Sequence, residues 1–322
     1  MKGLVKTAPG TLTLQELETP KPNGHDVILK VSHCGICGSD VHLWESDANI
    51  GLVLGHEFAG VVEDPGASQL KVGDYVAVIP GSSKGKGLVV GANVQGAYTT
   101  HFSQDPRLLL PVPKSVGTEV ACMIEPFTVG LRAVRRSHID IQEKVLITGA
   151  GIIGHTAAEW ARLAGAETIV MIDINDKRIE FAKKHGVIDE ILDAKDPDIE
   201  KILMEKTGGA GFEKVIECTG FEKPTQLSIN VTKTGGQITY VGVNFHSVSI
   251  PFLPLVMREI SIVGTWGGIS LYAQEVLHHF ETKRVNPIKY VTDRIPLERV
   301  QAKMEDLASG KSGDIKCLIV NE

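Results

Sequence analysis

Two short stretches carry the residue types that bind a metal ion: Cys34-Gly35-Ile36-Cys37-Gly38-Ser39-Asp40 and Leu54-Gly55-His56-Glu57. A further carboxylate, Glu125, stands just before Pro126. Thiolate, imidazole and carboxylate are zinc ligands, and a catalytic zinc needs only three of them plus an open position. Downstream, Gly149-Ala150-Gly151-Ile152-Ile153-Gly154 has the GxGxxG spacing of a dinucleotide site. A Lewis-acid metal beside a nicotinamide points to hydride transfer between an alcohol and NAD.

Within the metal set, either cysteine of Cys34-x-x-Cys37 offers a thiolate. A lone CxxC also fits a redox pair or half of a structural zinc site, and the sequence has no second CxxC to complete one. His56 next to Glu57, in a Gly55 turn and with a cysteine upstream, reads as a ligand. Glu57 and Glu125 compete for the remaining position, one binding directly and the other standing behind it or acting through water. Asp40 is either an acid at a helix N-terminus or the acceptor of the second N–H of His56, a common way to fix a ligand's orientation.

The glycine fingerprint follows an apolar strand, Lys144–Thr148, and opens a helix, Ile152 to Ala164, which is the context it requires. Gly149 permits the tight turn, Gly151 lets the backbone approach a pyrophosphate, and Gly154 lets helix and strand pack closely. The helix N-terminus would then face the phosphates with free N–H groups. Asp173 closes the next strand, where an acid about 20 residues on accepts hydrogen bonds from a ribose 2′-hydroxyl. A carboxylate there repels a 2′-phosphate, so NAD is expected rather than NADP. Arg178 flanks the adenine or reaches a phosphate.

The elements that position these residues fall into two patterns. From Met1 to about Pro113 the chain reads as short strands and turns, with Val27–Val31, Phe58–Glu63, Tyr75–Ile79 and Ala97–Phe102 as strands. Cys37 and His56 are expected in glycine-flanked loops between them. Pro80 to Gly96, rich in Gly, Ser and Lys, reads as an exposed loop. A helix with Pro126 in its first turn runs to about Arg136. Alternating strands and helices then imply a doubly wound parallel sheet. Two further helices and a strand, Ile315 to Val320, are expected to return to the first domain. The expected domains are 1–127, 128–266 and the return 267–322.

A chain of 322 residues accommodates about two domains at ~150 residues each. Its net charge of −6 and lack of a basic block argue against nucleic acid as a partner. No apolar run reaches the ~18 residues of a membrane helix, and the N-terminus reads as a strand without the apolar core of a signal peptide. Five cysteines, an odd number, do not make a disulfide framework, so a reducing cytoplasm is expected. Cys122, Cys218 and Cys317 read as packing residues, and His278, His279, Lys183 and Lys184 as helix surface. The apolar run from Ser247 to Met257, interrupted by Pro251 and Pro254, reads as an edge segment that pairs with a second copy, hence a homo-oligomer, dimer or tetramer.

Cys37-Gly-Ser39-Asp40, Gly55-His56-Glu57, Ile124-Glu125-Pro126 and the Gly149 fingerprint, in this order over nearly the whole chain, resemble the zinc-dependent medium-chain dehydrogenase/reductase family. The Glu125-Pro126 pair resembles its polyol branch, the sorbitol dehydrogenase-like proteins. The resemblance implies an α/β chain with a GroES-like, mostly-β catalytic domain, a Rossmann domain and a cleft between them. It singles out Cys37 as the thiolate, with His56 and Glu57 or Glu125 completing the zinc site. It implies catalytic roles for Ser39, His42 and Glu57. Ser39 would lie beside the reacting oxygen and begin proton removal, and His42 would pass the proton on through the cofactor ribose. Ile153, Thr219, Gly220, Val241, Gly242 and Thr265 would border the cofactor. Trp266, with Ser39 and Glu125, would face the substrate.

One departure from the family matters. Its members usually carry a lobe with four closely spaced cysteines for a structural zinc. Pro80 to Gly96 has none, and Lys84-Gly85-Lys86 resembles a remnant of that lobe, so one zinc per chain is expected. The connection from His42 to Leu54 is also short for the family. The expected substrate is a secondary alcohol with a neighbouring hydroxyl: a sugar alcohol, an aldonate or a vicinal diol. Threonine and butanediol dehydrogenases share the motifs. The reading of another class is an NAD-binding structural or regulatory protein without turnover, against which the intact ligand set argues. Zinc-free quinone reductases share the fold but have no need of Cys37, His56 and Glu57 together.

Overall fold

The computed structural model describes residues 1–81, 85, 87–244 and 247–321, so Lys84 and Lys86 of the suggested remnant lie outside the described residues. The chain divides into two units, Met1–Glu125 with Ile269–Glu322, and Pro126–Gly268.

The first unit opens with a hairpin, β1 (Lys2–Ala8) and β2 (Thr11–Glu16), turned at Gly10 with φ +69°. Strand β3 (Val27–Gly35) buries Val27, Leu29 and Val31 completely, the alternation of a core-facing strand. A short helix, α1 (Gly38–Glu45), leads towards β4 (Glu57–Asp64). Strands β5 (Tyr75–Val78), β6 (His101–Gln104) and β7 (Leu109–Val112) follow, then α2 (Thr118–Ala121) and the start of α3 (Ile124–Ser137).

The second unit comprises β8 (Lys144–Thr148), α4 (Ile152–Ala164), β9 (Thr168–Asp173), α5 (Asp176–His185), β10 (Glu190–Asp193) and α6 (Ile199–Lys206). It continues through β11 (Phe212–Glu217), α7 (Glu222–Val231), β12 (Thr232–Tyr240), α8 (Phe252–Met257) and β13 (Ser261–Gly264). The chain returns to the first unit with α9 (Ile269–Glu281), β14 (Val291–Ile295), α10 (Val300–Ala308) and β15 (Lys316–Val320).

In the first unit the main sheet runs β14-β15-β3-β4-β5-β7, with β6 on the first half of β3. Its register explains why distant motifs meet. Gly35 pairs with Glu57 and Cys34 with Phe58 across β3 and β4, while Leu318 of β15 pairs with Gly35 from the other side. The cysteine stretch, the His56-Glu57 stretch and Lys316 therefore converge at one end of β3.

The second unit holds a six-stranded parallel sheet in the order β10-β9-β8-β11-β12-β13. Its central strands are apolar without interruption, as Val145, Leu146 and Ile147 in β8 and Val215 and Ile216 in β11 are fully buried. That is the pattern of a sheet covered on both faces. The strand order reverses between β8 and β11, where doubly wound sheets bind ligands beyond their carboxyl ends.

One expectation needs correction, and two others gain detail. Cys37 sits, as expected, in the short connection after β3, where it caps the N-terminus of α1, a helix of eight residues too short to show a period in the sequence. Pro80 to Gly96 is not wholly exposed: Val90 is 2% exposed, and its N–H donates to the Pro80 carbonyl at 2.8 Å. The run from Ser247 to Met257 contains the short helix α8 (Phe252–Met257), just before β13, one of the two edge strands of the parallel sheet. Pro254, in the first turn of α8, needs no hydrogen-bonded N–H there. No helix among the described residues is long and apolar enough to cross a membrane.

Candidate metal centre and nucleotide turn

In the first unit, ligand atoms of Cys37, His56 and Glu57 all lie within 4.8 Å of one another. A thiolate, an imidazole and a carboxylate at this spacing fit a single zinc ion with an open fourth position. Cys34 is fully buried, and burial pushes its thiol well up, so it packs as a neutral side chain. The positive φ of Gly55, +94°, makes the turn that presents His56.

Asp40 ties two of the three together. Its carboxylate is completely buried. Oδ2 accepts the Cys37 N–H at 2.9 Å and the Tyr98 hydroxyl at 2.7 Å. Oδ1 lies 3.3 Å from His56 Nδ1. That approach is close enough for an ion pair but is not aligned as a hydrogen bond, and among the described residues neither atom has another partner. With Nδ1 turned to Asp40, Nε2 is the ring atom left to coordinate. Burial raises the Asp40 carboxyl, but the His56 charge and the hydrogen bonds from Cys37 and Tyr98 outweigh that and hold it below its ordinary value. Burial lowers the His56 imidazole, whereas Asp40 and Cys37 raise it well above the usual range. A bound cation must displace that proton.

Glu57, 1% exposed, meets a residue that the motifs did not reveal. The ammonium of Lys316, itself buried, donates to Glu57 Oε2 at 2.7 Å, to Oε1 at 3.0 Å and to the Ile36 carbonyl at 2.9 Å. A lysine inside the apolar strand Lys316–Val320 was the signal to follow, since such a residue is seldom buried without a partner. Glu125 is buried beside this group and is not part of the trio. Burial first, then the Glu57 charge, pushes its carboxyl up to about 7 against the opposing pull of His56. Ser39 and His42 lie one and four residues into α1, both half-buried.

A second trio, His25, Asp26 and Asp105, also lies within 4.8 Å in the first unit. Its histidine is exposed, and Arg107 holds Asp105 with two side-chain bonds of 2.9 and 2.7 Å, much as Lys316 holds Glu57.

In the second unit the glycine fingerprint adopts the turn its spacing requires. Gly149 takes φ +94°, and a Cβ on Gly154 would lie 1.9 Å from the Gly149 carbonyl oxygen. Gly151 caps α4, and Ile153, half-buried, lies in its first turn. Asp173 Oδ2 accepts the Ala150 N–H at 2.6 Å, and Oδ1 accepts the Asn175 N–H at 2.7 Å. The acid expected at a ribose thus also staples the glycine turn. Arg178 reaches towards Gly151, with Nη1 3.8 Å from where a Cβ would be, and its buried Nε has no hydrogen-bond partner among the described residues.

Thr219-Gly220 and Val241-Gly242 cross closely at the ends of β11 and β12. A Cβ on Gly242 would lie 2.1 Å from the Gly220 nitrogen. The buried Glu217 organises this crossing. Its carboxylate accepts the N–H groups of Thr219 and Gly220 at 2.9 and 2.8 Å and the Thr148 hydroxyl at 3.0 Å, and its carbonyl accepts those of Val241 and Gly242. Thr265 donates its N–H to Tyr240, whereas Trp266 is 70% exposed.

The family model described as an alcohol dehydrogenase GroES-like domain matches residues 23–114, and that described as a zinc-binding dehydrogenase matches residues 153–282. The sorbitol dehydrogenase of Homo sapiens is 32% identical, over 95% of this chain and 92% of its own length. Among solved structures, 2R,3R-butanediol dehydrogenase from Bacillus subtilis has a TM-score of 0.88 at 26% identity, covering 100% of this chain and 99% of that one. An alcohol dehydrogenase from Thermus sp. ATN1 has a TM-score of 0.91 at 25% identity, with both chains fully covered. The shared chemistry is zinc-dependent oxidoreduction of alcohols or polyols with a nicotinamide cofactor. With two matched family models and a relative aligned along almost its whole length, the chain belongs to the zinc-dependent medium-chain dehydrogenase family, in its sorbitol dehydrogenase-like branch.

Proposed function

We propose that this chain oxidises a secondary alcohol bearing a neighbouring hydroxyl to the ketone, with NAD as the oxidant and one zinc ion per chain. The observation that carries this reading is the convergence of Cys37, His56 and Glu57 within 4.8 Å. These three residues would hold the ion, with Glu125 behind them. Zinc supplies Lewis acidity towards the substrate oxygen, and NAD supplies the hydride acceptor. Ser39 receives the hydroxyl proton and His42 passes it towards solvent. Polyols fit the likeness to sorbitol dehydrogenase and vicinal diols the likeness to butanediol dehydrogenase; both present two adjacent hydroxyls.

Asp173 at the end of β9 supports NAD over NADP. The absence of cysteine from Pro80 to Gly96 supports a single zinc. A homo-oligomer is supported by the free edge of β13 together with exposed Phe252, Leu253, Val256 and Met257. A monomer by light scattering would remove that part. A cytoplasmic location accords with five free cysteines.

The test is Cys37→Ser. Zinc should be lost and turnover should fall by at least ~10²–10³-fold, the scale of removing one electrostatic stabiliser. NADH should still bind. Undiminished turnover would refute the zinc role. A panel of polyols, diols, sugar acids and threonine, scored by NADH formation, identifies the substrate.

A further inference from the structure

Tyr98 lies on the segment between β5 and β6, remote in sequence from every proposed zinc ligand, and is fully buried. It touches the metal centre in two ways. Its ring lies beneath Gly55: a Cβ on that glycine would stand 2.4 and 2.5 Å from Cδ1 and Cε1. Its backbone holds the same segment, because the Tyr98 N–H donates to the Leu54 carbonyl at 2.9 Å. The residue thus shapes the turn that presents His56. Its hydroxyl does something different. It donates at 2.7 Å to Asp40 Oδ2, the oxygen that also accepts the Cys37 N–H.

Among the described residues that hydroxyl donates to Asp40 alone, and Oδ1 of the same carboxylate faces His56 Nδ1. A carboxyl group is planar and rigid. Fixing Oδ2 with two donors therefore fixes where Oδ1 meets the imidazole, and so where Nε2 points. Groups behind a ligand that set its orientation typically change metal affinity by about 10–100-fold when removed.

We propose that the Tyr98 hydroxyl is a positioning group for the zinc site: through Asp40 it sets the relative placement of Cys37 and His56. This rests on the zinc site proposed above. The ring and the hydroxyl are separable, because Tyr98→Phe keeps the packing beneath Gly55 and deletes only the donor.

The experiment measures zinc affinity by competition with a chromogenic chelator for wild type, Y98F, D40N and the double variant, with thermal unfolding of each zinc-free form to check folding. Wild type should bind zinc. Y98F should bind it about 10-fold more weakly, while its NADH affinity stays that of wild type. In the D40N background, Y98F should cause no further loss, since the hydroxyl acts through that carboxylate. Unchanged zinc affinity in Y98F overturns the proposal while leaving the zinc site standing. An equal loss in both backgrounds also overturns it, by showing an effect that bypasses Asp40. Wild type that binds no zinc overturns both this proposal and the reading beneath it. If D40N does not fold, the single Y98F measurement decides alone.

Discussion

The two units solve opposite recognition problems with opposite materials. In the first, buried charged side chains crowd together: Glu57 against Lys316, Asp40 against His56, and Glu125 beside them. In the second, the candidate site is chiefly backbone. Gly149, Gly154, Gly220 and Gly242 allow approaches that no side chain would permit, and the two buried acids, Asp173 and Glu217, are answered by N–H and hydroxyl donors. The first arrangement holds an excess of buried negative groups that a divalent cation would relieve. The second is complete as a shape. The difference teaches that metal should matter to the stability of the first unit, whereas nucleotide binding by the second should be indifferent to it.

The sharpest way to break this comparison is Lys316→Met. It leaves Glu57 buried and unpaired, which costs about 3–5 kcal/mol. Zinc should restore part of that loss, so the melting temperature should respond to zinc far more than in wild type. A zinc-free variant that melts with wild type would contradict the charge-crowding account.

Gly154→Ala asks the converse of the second unit. The new methyl would meet the Gly149 carbonyl, and overpacking of this kind costs ~1–3 kcal/mol. NADH affinity should fall about 10–100-fold, with zinc content unchanged. Fluorescence titration and metal analysis of the same sample measure both, and a parallel loss of zinc would erase the distinction.

Asp173→Ala sharpens the description of the second unit. It removes the acceptor of the Ala150 N–H along with the proposed ribose contact. NAD binding should weaken, and the preference over NADP should narrow by about 10-fold, the worth of ~1.4 kcal/mol. Unchanged selectivity with a lower melting temperature would assign the residue to the turn alone.

The smallest effect is expected at Asp314. Burial raises its carboxyl, but hydrogen bonds from Lys303, Thr292 and Ser312 lower it further, leaving it below the ordinary range. A carboxyl lowered in the native state stabilises the fold above its unfolded pKa, about 3.9. That contribution is lost as pH falls through the native value. Because the group is partly exposed, Asp314→Asn should flatten the acid limb by less than ~1 kcal/mol. Urea titrations run downward from about pH 5 through the acid limb would register it, and an unaltered slope would contradict the assignment.

What the sequence made legible follows the same division. The parallel sheet was visible because β8 and β9 are unbroken apolar runs set between helices, and both ends of α4 and the close of β9 at Asp173 emerge as read. The ligand types of the metal cluster were visible because Cys37 and His56-Glu57 lie in short, glycine-marked stretches. Helix α1 was visible only as one of two readings of Asp40, because eight residues give too little periodicity. Strand β10 was missed because it has only two apolar residues between acids, and β14 because three polar residues interrupt it. Lys316 and Tyr98 were hidden for a topological reason. Lys316 reaches Glu57 only because β15 lies beside β3, and Tyr98 reaches Asp40 only because its segment lies under Gly55. Spacing within a motif encodes neither neighbour.

The central claim is that Cys37, His56 and Glu57 hold one zinc ion. Elemental analysis of folded protein, purified without chelator, tests it most directly. The account predicts one zinc per chain in wild type and none in His56→Ala, with NADH binding intact in both. Two zinc ions per chain, or zinc retained when His56 is replaced, would contradict it.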